Sequence, residues 1–261
     1  MTSQHTVAIV GARGRMGQVL MRLSSNSFAR AIPLDQGDDL GAGIQQADVI
    51  IEFAHHTATP QVCQHAEQFK KPLVIGTTGH TAEEKQTIYR LASILPVVYS
   101  ANFSVGVNLL FYLTEIAAKV LKNKGYDCEI IEMHHRQKVD APSGTARKLL
   151  DILLKINELP PEAVSHGREG EVGVRPTNQV GVHALRGGDI VGEHTVMFAA
   201  TGERLELTHK ASSREIFASG ALYAAQWALE KWQTMKAQSN TAQARLNRPY
   251  DMQDVLGLSE S

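Results

Sequence analysis

The N-terminal part of the chain alternates short apolar runs with segments of helical periodicity, which constrains the fold more than any other feature of the sequence. Four runs have the length and composition of buried strands: VAIV (7–10), DVIIEF (48–53), PLVIG (72–76) and PVVYS (96–100). Apolar residues within 16–23 recur at helical spacing, and Thr81 with Glu84 forms the capping-box start of another helix. This alternation predicts an α/β fold with a Rossmann-like, doubly wound parallel sheet.

A change of pattern after residue 104 predicts a second domain of the α+β class. A long helical segment at 105–122 leads into the strand-like run CEIIEM (128–133), and a further helix is expected after Ser143. Three more strand-like runs follow, at 179–186, 194–200 and 204–211. A TGE turn joins the last two and favours a hairpin, so a mostly antiparallel or mixed sheet is expected.

Helical periodicity returns at Ser213, and the polar stretch 236–249 has the composition of an exposed loop before a short terminal segment. The predicted division is one domain of residues 1–104 and 213–261, with 105–212 as the second domain.

Bulk properties exclude several classes of function. A formal net charge of -1 argues against broad electrostatic binding to nucleic acid or an anionic membrane. No apolar run approaches the roughly 20 residues of a membrane span, and the N-terminus lacks the pattern of a secretory signal. Cys63 and Cys128 form no CxxC pattern, and no residues show the spacing of a metal site. We therefore expect a cytoplasmic protein without nucleic-acid, membrane or metal partners.

The stretch VAIVGARGRMG places three glycines between the first strand and the first helix. Gly11, Gly14 and Gly17 have the spacing GxxGxxG, which departs from the usual GxGxxG pattern but lies in the same strand–turn–helix context. Glycines in this turn allow a tight bend, close approach of the backbone to a diphosphate, and close packing of helix on sheet. The helix N-terminus offers amide groups to phosphates. The segment predicts a dinucleotide site.

An acidic residue about 20 positions further on typically binds the adenosine ribose. Asp35 is the first choice, and Asp38 and Asp39 are the alternatives. Gln36, rather than an arginine, follows Asp35, which leans towards NADH. The two arginines in the phosphate loop, at positions 13 and 15, keep NADPH open as the cofactor.

Two further turns follow strands at the edge where open α/β sheets bind ligands. GTTG (76–79) ends one strand with small residues that let a flat ring approach the backbone. Ser100–Phe103 follows the next strand and is expected to form the other wall of a dinucleotide crevice.

The stretch EMHHRQKVDAPSGTA (132–146) combines proton donors with an anion site. His134 and His135 come at the end of a strand, and Lys138 follows. Ser143 is the expected N-cap of a helix whose first amides can bind a carboxylate. Reduction of a carboxylated C=C or C=N bond needs such an acid and such fixed positive charge.

Two other functions remain open at this point. A non-catalytic redox sensor that binds NAD(P) would need the glycine turn but not the His-Lys segment. A two-domain amino-acid or semialdehyde dehydrogenase would need a different acid or a nucleophilic cysteine, and Cys128 lies in a buried-looking strand.

The His-His-Lys segment resembles the signature E-x-H-H-x-x-K-x-D-x-P-S-G-T-A of the 4-hydroxy-tetrahydrodipicolinate (dihydrodipicolinate) reductase family, and every fixed position is met. The segments VGARGRMG, VIGTTG, ANFSVGVN, GDIVGEHT and LTHKASSR are also similar to family segments, in family order. The resemblance covers nearly the whole chain.

The resemblance implies reduction of (2S,4S)-4-hydroxy-2,3,4,5-tetrahydrodipicolinate to tetrahydrodipicolinate with NADH or NADPH, in lysine and diaminopimelate biosynthesis. It implies proton transfer by His134 and Lys138, and binding of a cyclic dicarboxylate by His135, Gly144 and Thr145. The implied nucleotide contacts are Gly11, Ala12, Arg13, Gly14, Arg15, Met16, Gly76, Thr77, Thr78, Ser100, Ala101, Asn102 and Phe103. The second domain is then also the oligomerisation domain of a homotetramer.

The chain departs from the family pattern at two places. The segment between Asp35 and Asp48 is shorter than usual, and FAHHTA replaces a common Thr-x-Pro after the third strand. The resemblance gives no role to His55 and His56, which we expect to be exposed loop residues.

Overall fold

A computed structural model of the chain describes residues 3–237 and 248–258. They divide into two compact units, one from Met1–Val105 and Glu215–Ser261 and the other from Gly106–Arg214. Within the described ranges, no helix combines the length and the apolar character that crossing a membrane requires.

The elements in chain order are β1 (Ser3–Val10), α1 (Arg15–Ser24), β2 (Phe28–Leu34), α2 (Leu40–Gln46), β3 (Val49–Glu52), α3 (Thr59–Phe69), β4 (Leu73–Ile75), α4 (Ala82–Ala92), β5 (Val97–Tyr99), α5 (Val105–Leu121), β6 (Asp127–His134), α6 (Gly144–Asn157), β7 (Val164–His166), β8 (Val180–Arg186), β9 (Gly192–Ala200), β10 (Glu203–Ala211), α7 (Glu215–Ala237) and α8 (Met252–Val255).

The first unit contains a five-stranded parallel sheet in the order β2-β1-β3-β4-β5. Its central strands are almost wholly apolar because both faces are covered. Residues of α1, α7 and α8 share a core with one face, and residues of α2, α3 and α4 share a core with the other. This arrangement confirms the predicted doubly wound sheet and adds the strand β2, which the sequence analysis did not identify.

Helix α7 approaches the sheet closely because its buried face consists mostly of alanine and glycine. A Cβ atom at Gly220 would lie 1.8 Å from the carbonyl oxygen of Phe103, so no larger residue fits there. Most of the predicted loop 236–249 lies outside the described residues.

The second unit contains a five-stranded sheet in the order β10-β9-β6-β8-β7. The pairs β10·β9 and β9·β6 are antiparallel, whereas β6·β8 and β8·β7 are parallel. The sheet is therefore mixed rather than mostly antiparallel, and the predicted hairpin of the last two strands is confirmed. Helices α5 and α6 share one apolar core with this sheet.

Candidate functional site

The glycine turn of the first unit has the geometry of a phosphate-binding loop. Gly11 has a φ of +83°, and a Cβ atom there would lie 2.3 Å from the carbonyl oxygen of Phe53. A Cβ atom at Gly17 would lie 2.1 Å from the carbonyl oxygen of Gly11, so this glycine permits close packing of α1 on the turn. No side chain caps the N-terminus of α1 at Gly14. Its first amides therefore remain available to an anion.

A cavity of about 710 Å³ lies at this turn, within the first unit. It is large enough for part of a dinucleotide, and it follows the carboxyl ends of β1, β2 and β3. Of the predicted cofactor residues, Gly11, Gly14 and Asp35 line it. The other lining residues are Val10, Gln36, Gly37, Asp38, Leu40, Phe53, Ala54, His55, Thr57, Ala58 and Gln61.

The three candidate acids after β2 have different environments. Asp35 accepts a hydrogen bond of 2.7 Å from the Arg13 amide, and this bond lowers the pKa of its carboxyl group. Asp38 accepts from the Asp35 amide and also lines the cavity. Asp39 instead caps α2 by accepting from the Ala42 amide. Asp35 and Asp38 thus line the cavity, whereas Asp39 caps a helix.

The turn after β4 contains a glycine in close contact with Phe53 and a buried threonine. A Cβ atom at Gly76 would lie 2.2 Å from the ring of Phe53, so this glycine makes room for an aromatic ring of the protein. Thr77 is buried and donates a 2.6 Å hydrogen bond to Glu52. Thr78 is exposed.

The predicted wall after β5 is a structured turn. The Ser100 hydroxyl donates to the Asn102 carbonyl oxygen at 2.9 Å, and the Asn102 side chain accepts from the Ser104 amide. Ala101 is exposed, whereas Phe103 is buried against the sheet at a ring-centroid distance of 5.6 Å from Phe53. A role of Phe103 towards a ligand would therefore involve its backbone.

The expectation that both loop histidines are exposed is correct for His55 and wrong for His56. His55 is exposed, lines the cavity and hydrogen-bonds to Thr57. His56 is half-buried because its ring contacts the carboxylate of Glu84 at 2.9 Å.

The second unit positions His134 at the end of β6. The ring is largely buried, and its Nδ1 atom lies 2.5 Å from Oε2 of Glu132. Since the carboxylate can only accept, Nδ1 carries the proton and Nε2 is left as the nitrogen that can exchange protons with a ligand. This is the arrangement of an oriented acid–base histidine.

Glu132 is itself fixed by three donors. Arg186 donates to both of its carboxylate oxygens, at 2.9 and 2.8 Å, and the Ser143 amide donates at 3.1 Å. Burial alone would raise the pKa of Glu132, but the hydrogen bonds from Arg186, His134 and Ser143 hold it below its ordinary value. The carboxylate is therefore ionised and fully buried.

Burial lowers the pKa of His134, while the bond to Glu132 acts in the opposite direction. Lys138 and Arg186 lower it further by charge repulsion. The ring is thus predominantly neutral near pH 7, and the ionised Glu132 stabilises the imidazolium when a proton arrives.

A second histidine packs against this pair. The ring centroid of His194 lies 5.1 Å from that of His134, and its Nε2 atom lies 3.0 Å from the Ser143 hydroxyl. Burial lowers the pKa of His194 to about 3. His194 is therefore a neutral neighbour of the His134–Glu132 pair.

The other basic residues of the segment lie in the loop after β6. The Lys138 ammonium group donates to Asp140 at 2.8 Å, and its side chain is partly exposed. His135 is half-buried and lies 3.4 Å from a guanidinium nitrogen of Arg214. Both side chains carry donors that a carboxylated ligand can use.

The N-terminus of α6 has open space beside its first residue. Ser143 caps the helix, as predicted, by accepting from the Ala146 amide at 3.2 Å. Gly144 is exposed, and a Cβ atom there would meet no neighbouring atom within 4 Å. Thr145 follows in the first turn and is half-buried. The helix start thus has room for a carboxylate beside Gly144.

Among the described residues, neither the cysteines nor the metal-binding side chains offer further chemistry. Burial raises the pKa of Cys63 to about 12 and that of Cys128 to about 11, so neither is an activated nucleophile. Across residues 3–237 and 248–258, no group of three or more metal-binding side chains is assembled.

Sequence reasoning did not assign Glu132, Arg186 or His194 to the site. Glu132 was a fixed position of the family signature, and His194 lies in the family segment GDIVGEHT. Arg186 was detectable only through strand register, since it pairs with His134 across β6 and β8.

Comparisons with known proteins cover nearly the whole chain. The family models "Dihydrodipicolinate reductase, N-terminus" and "Dihydrodipicolinate reductase, C-terminus" match residues 26–103 and 106–256. A 4-hydroxy-tetrahydrodipicolinate reductase of Akkermansia muciniphila is 47% identical, with 98% of this chain and 99% of the relative covered. One from Nitrosomonas eutropha is 40% identical, covering 97% and 98%. A dipicolinate-bound dihydrodipicolinate reductase from Paenisporosarcina sp. TG-14 is similar in structure, with a TM-score of 0.72, 25% identity, and coverage of 87% and 96%.

Proposed function

This chain belongs to the dihydrodipicolinate reductase family, and we propose that it reduces (2S,4S)-4-hydroxy-2,3,4,5-tetrahydrodipicolinate to tetrahydrodipicolinate, with release of water, in lysine and diaminopimelate biosynthesis. The names of its relatives and the dipicolinate in the similar structure support this substrate class. The observation that carries the proposal is the contact between buried Glu132 and His134, in the same segment as the open helix start at Gly144.

His134 acts as the proton donor and acceptor in this proposal. Glu132 fixes the proton on Nδ1 and stabilises the imidazolium, so Nε2 exchanges the proton with the substrate. Lys138 supplies a second proton donor, because its ammonium group is partly exposed and held only by Asp140 among the described residues.

The dicarboxylate is bound by the segment that follows. The first amides of α6, at Gly144 and Thr145, bind one carboxylate at the positive end of the helix dipole. His135, beside Arg214, adds a donor for the ring substituents. Fixed positive charge also lowers the energy of negative charge that develops during reduction.

A nicotinamide cofactor supplies the hydride when bound, and the residues of the first unit fit such a cofactor. Gly11 and Gly17 let the turn and α1 pack tightly, since a Cβ atom at either would collide with backbone, and the helix start at Gly14 has no side-chain cap. These residues bind the diphosphate, while Gly76–Thr78 and Ser100–Phe103 contribute backbone contacts.

The cofactor is NADH in this proposal. Asp35 and Asp38 both face the cavity, and the ionised Asp35 accepts hydrogen bonds from ribose hydroxyls. A 2′-phosphate would be repelled by both carboxylates. Arg13 offers partial compensation because its guanidinium lies 3.6 Å from Asp38.

The functional form is a cytoplasmic homotetramer joined through the sheet of the second unit. Leu185 alternates along β8 with the core residue Val182, so it faces away from α5 and α6, and it is 47% exposed. An apolar residue on this face supports pairing with another copy.

The test follows the oxidation of NADH and NADPH while the substrate is generated in situ. Oxidation that depends on the substrate, with higher kcat/KM for NADH, supports the proposal. Binding of NADH without any oxidation would favour a redox sensor instead.

A further inference from the structure

Glu52 is a buried carboxyl group at the end of β3 that the proposed reaction does not use. It is 0% exposed, and no lysine or arginine lies within ion-pair distance of it among the described residues. The next two residues, Phe53 and Ala54, line the cofactor cavity. Burial of a carboxylate without a cation costs free energy, unless hydrogen bonds satisfy its oxygens or a proton neutralises it.

Three donors surround this carboxyl group. The Thr77 hydroxyl lies 2.6 Å from Oε1 and also accepts from the Ala54 amide at 2.9 Å. The Thr59 hydroxyl lies 3.4 Å from Oε2, and the Ala54 amide lies 3.4 Å from Oε1. Thr77 therefore connects the turn after β4 to the backbone that lines the cavity.

The network continues through a neutral histidine. The Thr59 hydroxyl lies 2.8 Å from Nε2 of His80, and Nδ1 of His80 lies 3.1 Å from the Tyr99 hydroxyl. Burial lowers the pKa of His80, and it raises that of Tyr99. The hydrogen bonds can therefore all run towards Glu52, from Tyr99 through His80 and Thr59.

Titratable groups on other elements also lie close to Glu52. From α3, the thiol of Cys63 has a pKa raised to about 12 by burial. His56 lies beside His80 and is paired with Glu84. Burial raises the pKa of Glu52 itself to about 7, although hydrogen bonds from Thr77 and Ala54 act in the opposite direction.

The hydroxyl of Thr77 can satisfy both states of this acid. When Glu52 is ionised, Thr77 donates to it. When Glu52 is protonated, Glu52 can donate to Thr77, and Thr77 can donate to the Ala54 carbonyl oxygen, which lies 3.3 Å away. The carbonyl oxygen of Ala54, which lines the cavity, is thus hydrogen-bonded to Thr77 when Glu52 is protonated and released when Glu52 is ionised.

We propose that Glu52 is a positioning residue for cofactor binding, which switches the hydrogen bonding of Thr77 and Ala54 at the cavity wall as it gains or loses a proton. The protonated state binds the anionic cofactor more tightly, because the ionised state adds a buried negative charge beside the cavity. The inference rests on the proposed binding of a nicotinamide cofactor in that cavity.

The experiment measures the dissociation constant of NADH by fluorescence from about pH 5.5 to about pH 8.5. NADH is the probe because its diphosphate does not titrate in this range. We expect wild-type affinity for NADH to fall about threefold to tenfold as the pH rises through neutrality. The reason is the single negative charge that appears on Glu52, in a medium of intermediate dielectric constant. Glu52→Gln should keep the tighter affinity throughout, because glutamine stays uncharged.

Thermal stability of the cofactor-free protein provides a second readout. The folded protein keeps a proton on Glu52 between about pH 4.5 and about pH 7, where the unfolded chain has lost it. Stability from this group is therefore lost as pH rises through that window. The melting temperature of Glu52→Gln, relative to wild type, should increase from about pH 5 to about pH 8.

Glu67→Gln is the matched control, since it removes a partly exposed carboxylate of α3 that pairs with Arg90. It should keep the wild-type pH profile of NADH affinity. If Glu52→Gln binds NADH with the same pH profile as the wild type, the inference about Glu52 is overturned and the proposed function is not. Failure of the wild type to bind NADH at any pH would instead overturn the proposed function.

Discussion

The Nδ1 atom of His134 lies 2.5 Å from a carboxylate oxygen of Glu132, and both side chains are buried. This contact determines which nitrogen of the histidine is free to exchange protons. It also links the histidine to Arg186 through the shared carboxylate.

Replacement of Glu132 by glutamine should lower kcat about 10²-fold or more, because the amide no longer stabilises the imidazolium. The pH profile should also change, since loss of the carboxylate lowers the pKa of His134 further. Steady-state rates from about pH 5 to about pH 9 check this. Glu115→Gln, which removes a partly exposed partner of Lys119, is the control. An unchanged pH profile with reduced stability would indicate a purely structural role.

Lys138→Met should lower kcat and raise KM together, about tenfold or more each, because the ammonium group both donates a proton and attracts the dicarboxylate. Initial rates at varied substrate concentration separate the two effects. Lys122→Met removes a lysine that pairs with Glu158 on the surface and should leave both constants unchanged. A change in KM alone would assign Lys138 to binding only.

Asp35→Ser should shift cofactor preference towards NADPH, by about tenfold in the ratio of kcat/KM values, because one carboxylate facing the 2′-phosphate is removed. The ratio is measured with both cofactors at one ionic strength. Asp39→Ser is a matched control, since serine can still cap α2. Equal ratios in wild type and Asp35→Ser would remove Asp35 from cofactor selection.

Stability should fall on acidification partly because of His194. The folded state holds its pKa at about 3, whereas the unfolded chain takes up this proton below about pH 6.5. The stability is therefore lost as pH falls through that window, by about 2 kcal/mol at pH 5. Denaturant unfolding of His194→Gln should show a smaller loss between about pH 7 and about pH 5. An identical loss in variant and wild type would contradict this.

The sequence predicted those elements whose pattern is local. The runs within β1, β3, β4 and β5 are continuous and apolar because these strands are covered on both faces. Strand β2 was missed because it is an edge strand that alternates exposed and buried residues and contains Pro33, which only an edge readily accepts.

The same distinction applies to the candidate site. The N-cap at Ser143 and the capping box at Thr81 depend on neighbours in the sequence, and both predictions are confirmed. The bond from Arg186 to Glu132 joins two strands whose register cannot be read from either one. The raised pKa of Glu52 comes from burial, which depends on the whole sheet.

The most direct test of the proposed mechanism is the kcat of His134→Gln, measured with in-situ substrate beside the dissociation constant for NADH. His166→Gln, at an exposed histidine of the second unit, is the control. We expect kcat to fall about 10²-fold or more while NADH affinity stays the same. Wild-type turnover in His134→Gln would contradict the account.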